Sequence, residues 1–141
     1  MKISETIDFF YQNNMMGKQT SIPVYAMDKP SSAGYAIGGA IGAAVAQAAA
    51  QKYILEYNEA GFTFHKLQGD YSPANDGFQL ERGNIKRIKG GGLLSGGLYV
   101  FRDNNNVKYK IVIPRRAKGF KQQKENLKKI KDIIKTEFGK K

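Results

Sequence analysis

The sequence predicts an α+β fold: a bent antiparallel β-sheet or barrel capped by a C-terminal amphipathic helix, with an N-terminal helical glycine-zipper segment in front of it. Three observations predict it. Between residues 52 and 113, short aromatic and β-branched runs alternate with clusters of Gly, Asn, Asp and Pro, as strands alternate with turns. From Gly119 onward, Phe120, Leu127, Ile130, Ile134 and Phe138 recur at helical spacing. Between residues 34 and 50 the chain carries no charge, and small residues fall four apart at Gly34, Gly38, Gly42, Ala46 and Ala50.

Taken in order, Ser4 is placed to cap a short helix on which Ile3, Ile7, Phe10 and Tyr11 share a face, with Gly17 as its stop. A short strand is expected around residues 20–26, where Pro23 would restrict it to a sheet edge. Asp28-Lys29-Pro30-Ser31-Ser32 then reads as a turn leading into the zipper. Residues 53–57 and 62–67 form a hairpin around Asn58-Glu59-Ala60-Gly61, and 70–77 is loop chemistry. Strands are expected at 78–80, 85–89, 98–101 and 107–113, with a glycine-rich connection at 90–97 and Pro114 ending the last. This divides the chain into a helical segment over 1–51, with its zipper at 34–50, and a domain over 52–141. The strands and closing helix of 52–138 are expected to fold alone, because the first fifty residues hold mostly small side chains.

On a helix, the spacing of Gly34, Gly38 and Gly42 makes a groove without side chains, along which a second backbone approaches closely. Each glycine costs the isolated helix about 1 kcal/mol relative to alanine, so a partner must supply that stability. Seventeen helical residues reach about 26 Å, slightly short of a hydrocarbon core of about 30 Å. Spanning a bilayer, lying at its interface and packing in solution are all compatible with that length.

The formal charge is +11, and it is unevenly spread. Residues 1–50 are neutral, with three basic and three acidic groups, whereas 115–141 carry eleven basic and three acidic ones. Such a surplus attracts polyanions: nucleic acid, anionic lipid or an acidic protein. The absence of cysteine excludes disulfides and thiolate chemistry and favours a reducing compartment. Glu5 and Asp8 interrupt the first residues, which argues against a cleaved leader. A cytoplasmic location is expected, with the inner face of the membrane left open.

No catalytic, cofactor or metal-ligating set is predicted. His65 is the single histidine and has no sequence-arranged partner. Gly90-Gly91-Gly92-Leu93-Leu94-Ser95-Gly96-Gly97 lacks the Gly-Lys-Ser/Thr ending of a phosphate loop. Glu56 with Glu59, and Asp70 with Asp76, are expected in solvated surroundings that do not raise a carboxyl's pKa. The candidate binding residues are cationic instead. Lys121, Lys124, Lys128, Lys131 and Lys135 recur three and four apart, about 100° round the helix from its apolar face. Arg115, Arg116 and Lys118 precede them, and Lys140 and Lys141 follow. Flexible ammonium groups in a row suit phosphate contact rather than base reading.

Residues from about 52 to 138 resemble bacterial pleckstrin-homology-like (PH-like) domains of the GRAM and short-PH type. The resemblance is carried by the hairpin at 53–67, the segment Leu80-Glu81-Arg82-Gly83-Asn84-Ile85-Lys86-Arg87-Ile88, and the last strand passing straight into a helix. It covers about 60% of the chain. It implies a seven-stranded, sharply bent sheet plugged at one end by the helix, and a binding module rather than an enzyme. Phosphoinositide-binding members place Lys and Arg in the first hairpin loop. Here the corresponding loop, Asn58-Glu59-Ala60-Gly61, is short and acidic, with only Lys52 and Lys66 nearby.

Three functions follow as expectations: a membrane-associated adaptor with its basic helix on anionic lipid, a soluble nucleic-acid-binding protein, and a soluble protein-interaction module dimerised through 34–50. No base-stacking aromatics are interleaved with the basic run, which favours the first and third. Gly38→Leu tests the zipper, because leucine fills the groove while raising helix propensity. If the contact is between chains, sedimentation and cross-linking should show the oligomer dissociating. If it is within the chain, the monomer should lose about 2 kcal/mol of stability, the scale of overpacking. Unchanged assembly and melting would remove the zipper from the account.

Overall fold

A computed structural model describes residues 1–29, 50–91 and 97–139. The apolar and β-branched runs form seven strands: β1 (Ile22–Asp28), β2 (Lys52–Asn58), β3 (Gly61–Leu67), β4 (Pro73–Glu81), β5 (Ile85–Gly90), β6 (Leu98–Asp103) and β7 (Lys108–Val112). Helix α1 (Ile3–Gln12) precedes them, and α2 (Gln123–Ile133) follows, running on into a wider π turn at Ile134–Phe138. All neighbouring strands are antiparallel, in the order β4-β3-β2-β1-β7-β6-β5. The α+β class and the closing helix agree with the sequence reading.

Two antiparallel blocks, β1–β4 and β5–β7, face each other across one core. Phe62 and Phe64 of β3 meet Phe101 of β6 edge-on at 5.1 and 5.6 Å, and Phe138 adds its ring to Phe62 at 5.8 Å. Leu127, Ile130, Ile134 and Phe138 bury the apolar stripe of the final helix in this core. On the opposite face of the sheet, Ile3, Ile7 and Phe10 of α1 pack with Tyr25, Ile54, Leu67 and Phe120 in a second cluster.

Several expectations change. The sheet draws on both sides of residue 52: β1 lies between β2 and β7, so 52–138 holds six of the seven strands, and the hairpin at 53–67 is the second rather than the first. The β1–β2 connection is the long one, and Gly34, Gly38 and Gly42 lie outside the described residues, as do 92–96 of the glycine-rich connection and Lys140 and Lys141. Part of the stretch expected as loop is paired: β4 begins at Pro73, with a bulge between His65 and Leu67 in the facing strand. The helix starts at Gln123 rather than Gly119. Gly119 takes φ +79°, and its carbonyl receives the Ser4 N–H at 3.0 Å, so this turn docks on the start of α1. Ser4 is therefore inside α1 rather than its cap, and the Glu5 carboxylate receives the Lys2 N–H at 2.7 Å.

Pro23 explains itself at the seam. β1 pairs with β2 along six residue pairs but with β7 only at Met27 and Asp28, so the two blocks splay apart over the rest of β1. Pro23 sits on this open stretch, where a missing N–H costs no ladder bond. The helix supplies what β7 does not. The Gln123 carboxamide, 1% exposed, receives the Tyr25 N–H at 2.8 Å and donates to the Tyr25 carbonyl and the Pro114 carbonyl, each at 2.9 Å. Asn126 donates to the Pro23 carbonyl at 2.9 Å.

Replacing Gln123 by Leu keeps the volume but leaves the buried Tyr25 groups without partners. The variant should lose about 3 kcal/mol in denaturant unfolding, the scale of orphaned buried peptide groups. A 52–141 fragment lacks β1 and should show no cooperative melt. A stable Gln123→Leu protein, or a cooperative fragment, would contradict this account of the seam.

Candidate anion-binding face

Once the apolar stripe of the helix is buried, its other face has no choice but to look outward. Lys121, Lys124, Lys128, Lys131 and Lys135 are all exposed, as are Arg115, Arg116 and Lys118 on the approach. Arg115, Lys121, Lys124, Lys128 and Lys131 line a single open cleft of about 740 Å³, together with Leu127, Glu125 and Gly91. Five of the eight sequence-predicted cations are thus gathered round one depression. Arg116 and Lys118 lie on the same approach without lining it, and Lys135 belongs to the next cavity along. Among the described residues, ion pairs form at Glu56–His65, Lys66–Asp76 and Arg82–Glu137, and none of the eight cations takes part. Glu125 is the one carboxylate among the described residues that line the cleft, against five cations.

The adjoining cavity, about 340 Å³, shares Gly91 and Lys131 with the cleft and adds Arg87, Lys89, Tyr99 and Lys135. Among the described residues no acidic residue lines it. Among the described residues, the two buried side-chain polar atoms without a hydrogen-bond partner are Arg87 Nε and Tyr99 Oη, and both residues line this cavity. Each such orphan costs about 1–3 kcal/mol, so a pair in one place calls for a reason. Burial pushes the Tyr99 hydroxyl up to about 12, so it is a neutral donor at physiological pH. The sequence did not single these two out. Arg87 belongs to an alternating basic strand, and Tyr99 reads as an ordinary core aromatic; only the pairing of β5 with β6 brings them together.

A second polar cluster sits at the other end of the sheet. Glu56 is 3% exposed, not solvated as expected, and its carboxylate accepts from Asn58 Nδ2 at 2.8 Å and from the Ser21 hydroxyl, and pairs with His65 Nε2 at 2.8 Å. Burial alone would push this carboxyl up; the bonds from His65, Ser21 and Asn58 outweigh it and hold the pKa below the usual carboxylate range. His65 also stacks on Phe10 of α1, with ring centroids 4.8 Å apart. Ser21 bonds to Glu56 rather than to the imidazole, so the contact that would make it a nucleophile is not formed. The cluster ties α1 and the start of β1 to the hairpin.

Comparison with family models, with curated proteins and with solved structures finds no match. Among the described residues no helix is long and apolar enough to cross a membrane, and no group of three or more His, Asp or Glu is placed to hold a metal ion.

The depressed Glu56 pKa carries a pH signature. Its contribution to stability is complete above the ordinary carboxyl value near 4.3 and is lost as pH falls through the lower folded value. Wild-type melting temperature should therefore drop steeply below about pH 4, and Glu56→Gln should be less stable at pH 7 but show a shallower acid limb. Parallel limbs would mean that Glu56 is not the group responsible.

Proposed function

We propose that this chain is a non-enzymatic PH-like binding module whose basic C-terminal helix contacts an anionic bilayer surface. The PH-like reading is supported by two antiparallel blocks, a seven-strand order with the first and last strands adjacent, and a C-terminal helix over their seam. The binding reading is carried by one observation: five exposed, unpaired cations ring one cleft above the buried Leu127. Among the described residues no aromatic side chain lines that cleft, so stacked bases have no platform among them, which favours lipid phosphates over single-stranded nucleic acid. Each Lys near an anionic membrane surface contributes about 1 kcal/mol, so a cluster of this size supports reversible association rather than insertion.

The experiment is flotation with vesicles. Wild type should float with phosphatidylserine vesicles at low salt, stay behind with neutral ones, and be released as salt approaches about 0.5 M, where screening lengths fall to a few ångströms. Replacing Lys121, Lys124, Lys128, Lys131 and Lys135 by Gln should abolish flotation while leaving the melting temperature within a few degrees, because the apolar face is untouched. Wild type that ignores anionic vesicles at low salt would make the stripe a solvated face and nothing more.

A further inference from the structure

We propose that the cavity between β5, β6 and the end of the C-terminal helix is a pocket for a single phosphomonoester group, bound by Arg87, Tyr99, Lys131 and Lys135. The pocket is built rather than incidental. Tyr99 is 1% exposed, yet among the described residues its hydroxyl finds no hydrogen-bond partner, and Arg87 Nε is likewise buried and unpartnered there. Both residues line the same 340 Å³ space. Gly91 packs against the hydroxyl with no side chain between them: a Cβ there would lie 2.7 Å from Tyr99 Oη, and the residue adopts φ +77°.

The chemistry selects the ligand class. The unpartnered groups are an N–H and, at neutral pH, an O–H, so what is missing is an acceptor. Arg87, Lys89, Lys131 and Lys135 surround it, and no carboxylate among the described lining residues balances them, which suits a dianion better than a monoanion. A phosphomonoester is a dianion above its second pKa near 6 and offers three acceptor oxygens. The group could be presented by a lipid headgroup or by a soluble phosphorylated compound; the pocket's chemistry is the same for both. The inference shares Lys131 and Lys135 with the bilayer-facing reading but stands on Arg87 and Tyr99, which that reading does not use.

The test uses the full chain in chloride buffer with inorganic phosphate as probe, followed by calorimetry and thermal shift. Phosphate should bind saturably, more tightly at pH 7.5 than at pH 5.5 as the dianion forms. Tyr99→Phe should weaken binding on the order of tenfold, the loss of one hydrogen bond to a charged group. The free variant should melt no lower than wild type, because the deleted hydroxyl had no partner; a hydroxyl with a structural bond would lower it. Lys135→Gln, on an exposed position, should weaken phosphate as well, and serves if Tyr99→Phe fails to fold. Vesicles of phosphatidic acid and phosphatidylserine at matched surface charge identify the source. A preference for phosphatidic acid that Tyr99→Phe abolishes assigns a lipid headgroup. Tyr99-dependent phosphate binding without that preference assigns a soluble phosphorylated ligand. If phosphatidylserine vesicles are ignored while Tyr99-dependent phosphate binding persists, the bilayer reading falls and the pocket stands. No phosphate binding by wild type, or binding unchanged in both variants, overturns the pocket.

Discussion

One side-chain amide decides how the final helix of this chain is seated. The two strand blocks share only a short β1–β7 pairing, and beyond it the edge of β1 would face the interior with its peptide groups unpaired. The carboxamide of Gln123 has the donor and acceptor of a peptide unit and takes both main-chain groups of Tyr25, as a neighbouring strand would. Asn126, three residues on and so on the same side of the helix, takes the carbonyl of Pro23. Two polar contacts of fixed geometry set the rotation of the helix about its own axis. Burial of Leu127, Ile130 and Ile134 agrees with that rotation, and the lysines are left pointing away from the sheet.

The far end of the helix is held differently. Arg82, from the 3-10 turn Arg82–Asn84, bonds to Glu137 and to the Tyr57 hydroxyl, and its guanidinium lies over the rings of Tyr57 and Phe138 at 5.7 and 5.5 Å. Pinned at Gln123 and at Phe138, the helix is a fixed bar between two anchors. Its ammonium groups keep their own side-chain freedom, but their attachment points form a rigid array. In the proposed function, that array meets an extended anionic surface through many weak, salt-sensitive contacts. The small cavity beside it is a different kind of site, with buried donors of set position, and suits one compact group.

Much of this was legible in the sequence. The β2–β3 hairpin follows from residues 53–67, and the buried stripe of Leu127, Ile130, Ile134 and Phe138 follows from helical spacing, since burial is local to each element; Phe120, expected on the same stripe, lies ahead of the helix and packs in the cluster on the opposite face of the sheet. What could not be read was tertiary. Pro23 marks an unpaired stretch of strand, as the edge rule requires, but the stretch lies inside the sheet order because β7 turns away. Glu56 looked solvated because it stands two residues before the turn Asn58-Glu59-Ala60-Gly61. The register Ile54↔His65 and Glu56↔Thr63 makes it a diagonal neighbour of His65, a relation a correctly registered hairpin already contains. The orphaned Tyr99 and Arg87 had no sequence signal, because an unmet hydrogen bond is a property of the assembled surroundings.

Amide chemical-shift mapping on the full chain, with nanodiscs of neutral and then anionic lipid, tests the central claim most directly: a rigidly seated helix offers one cationic face. With anionic discs, shifts should concentrate on residues 115–135 and on Gly90 and Gly91, while the Tyr25 and Gln123 signals hold still, and neutral discs should shift nothing. Shifts centred on the Asn58–Gly61 turn, or a moving Tyr25 amide that reports a helix leaving its seat, would contradict it.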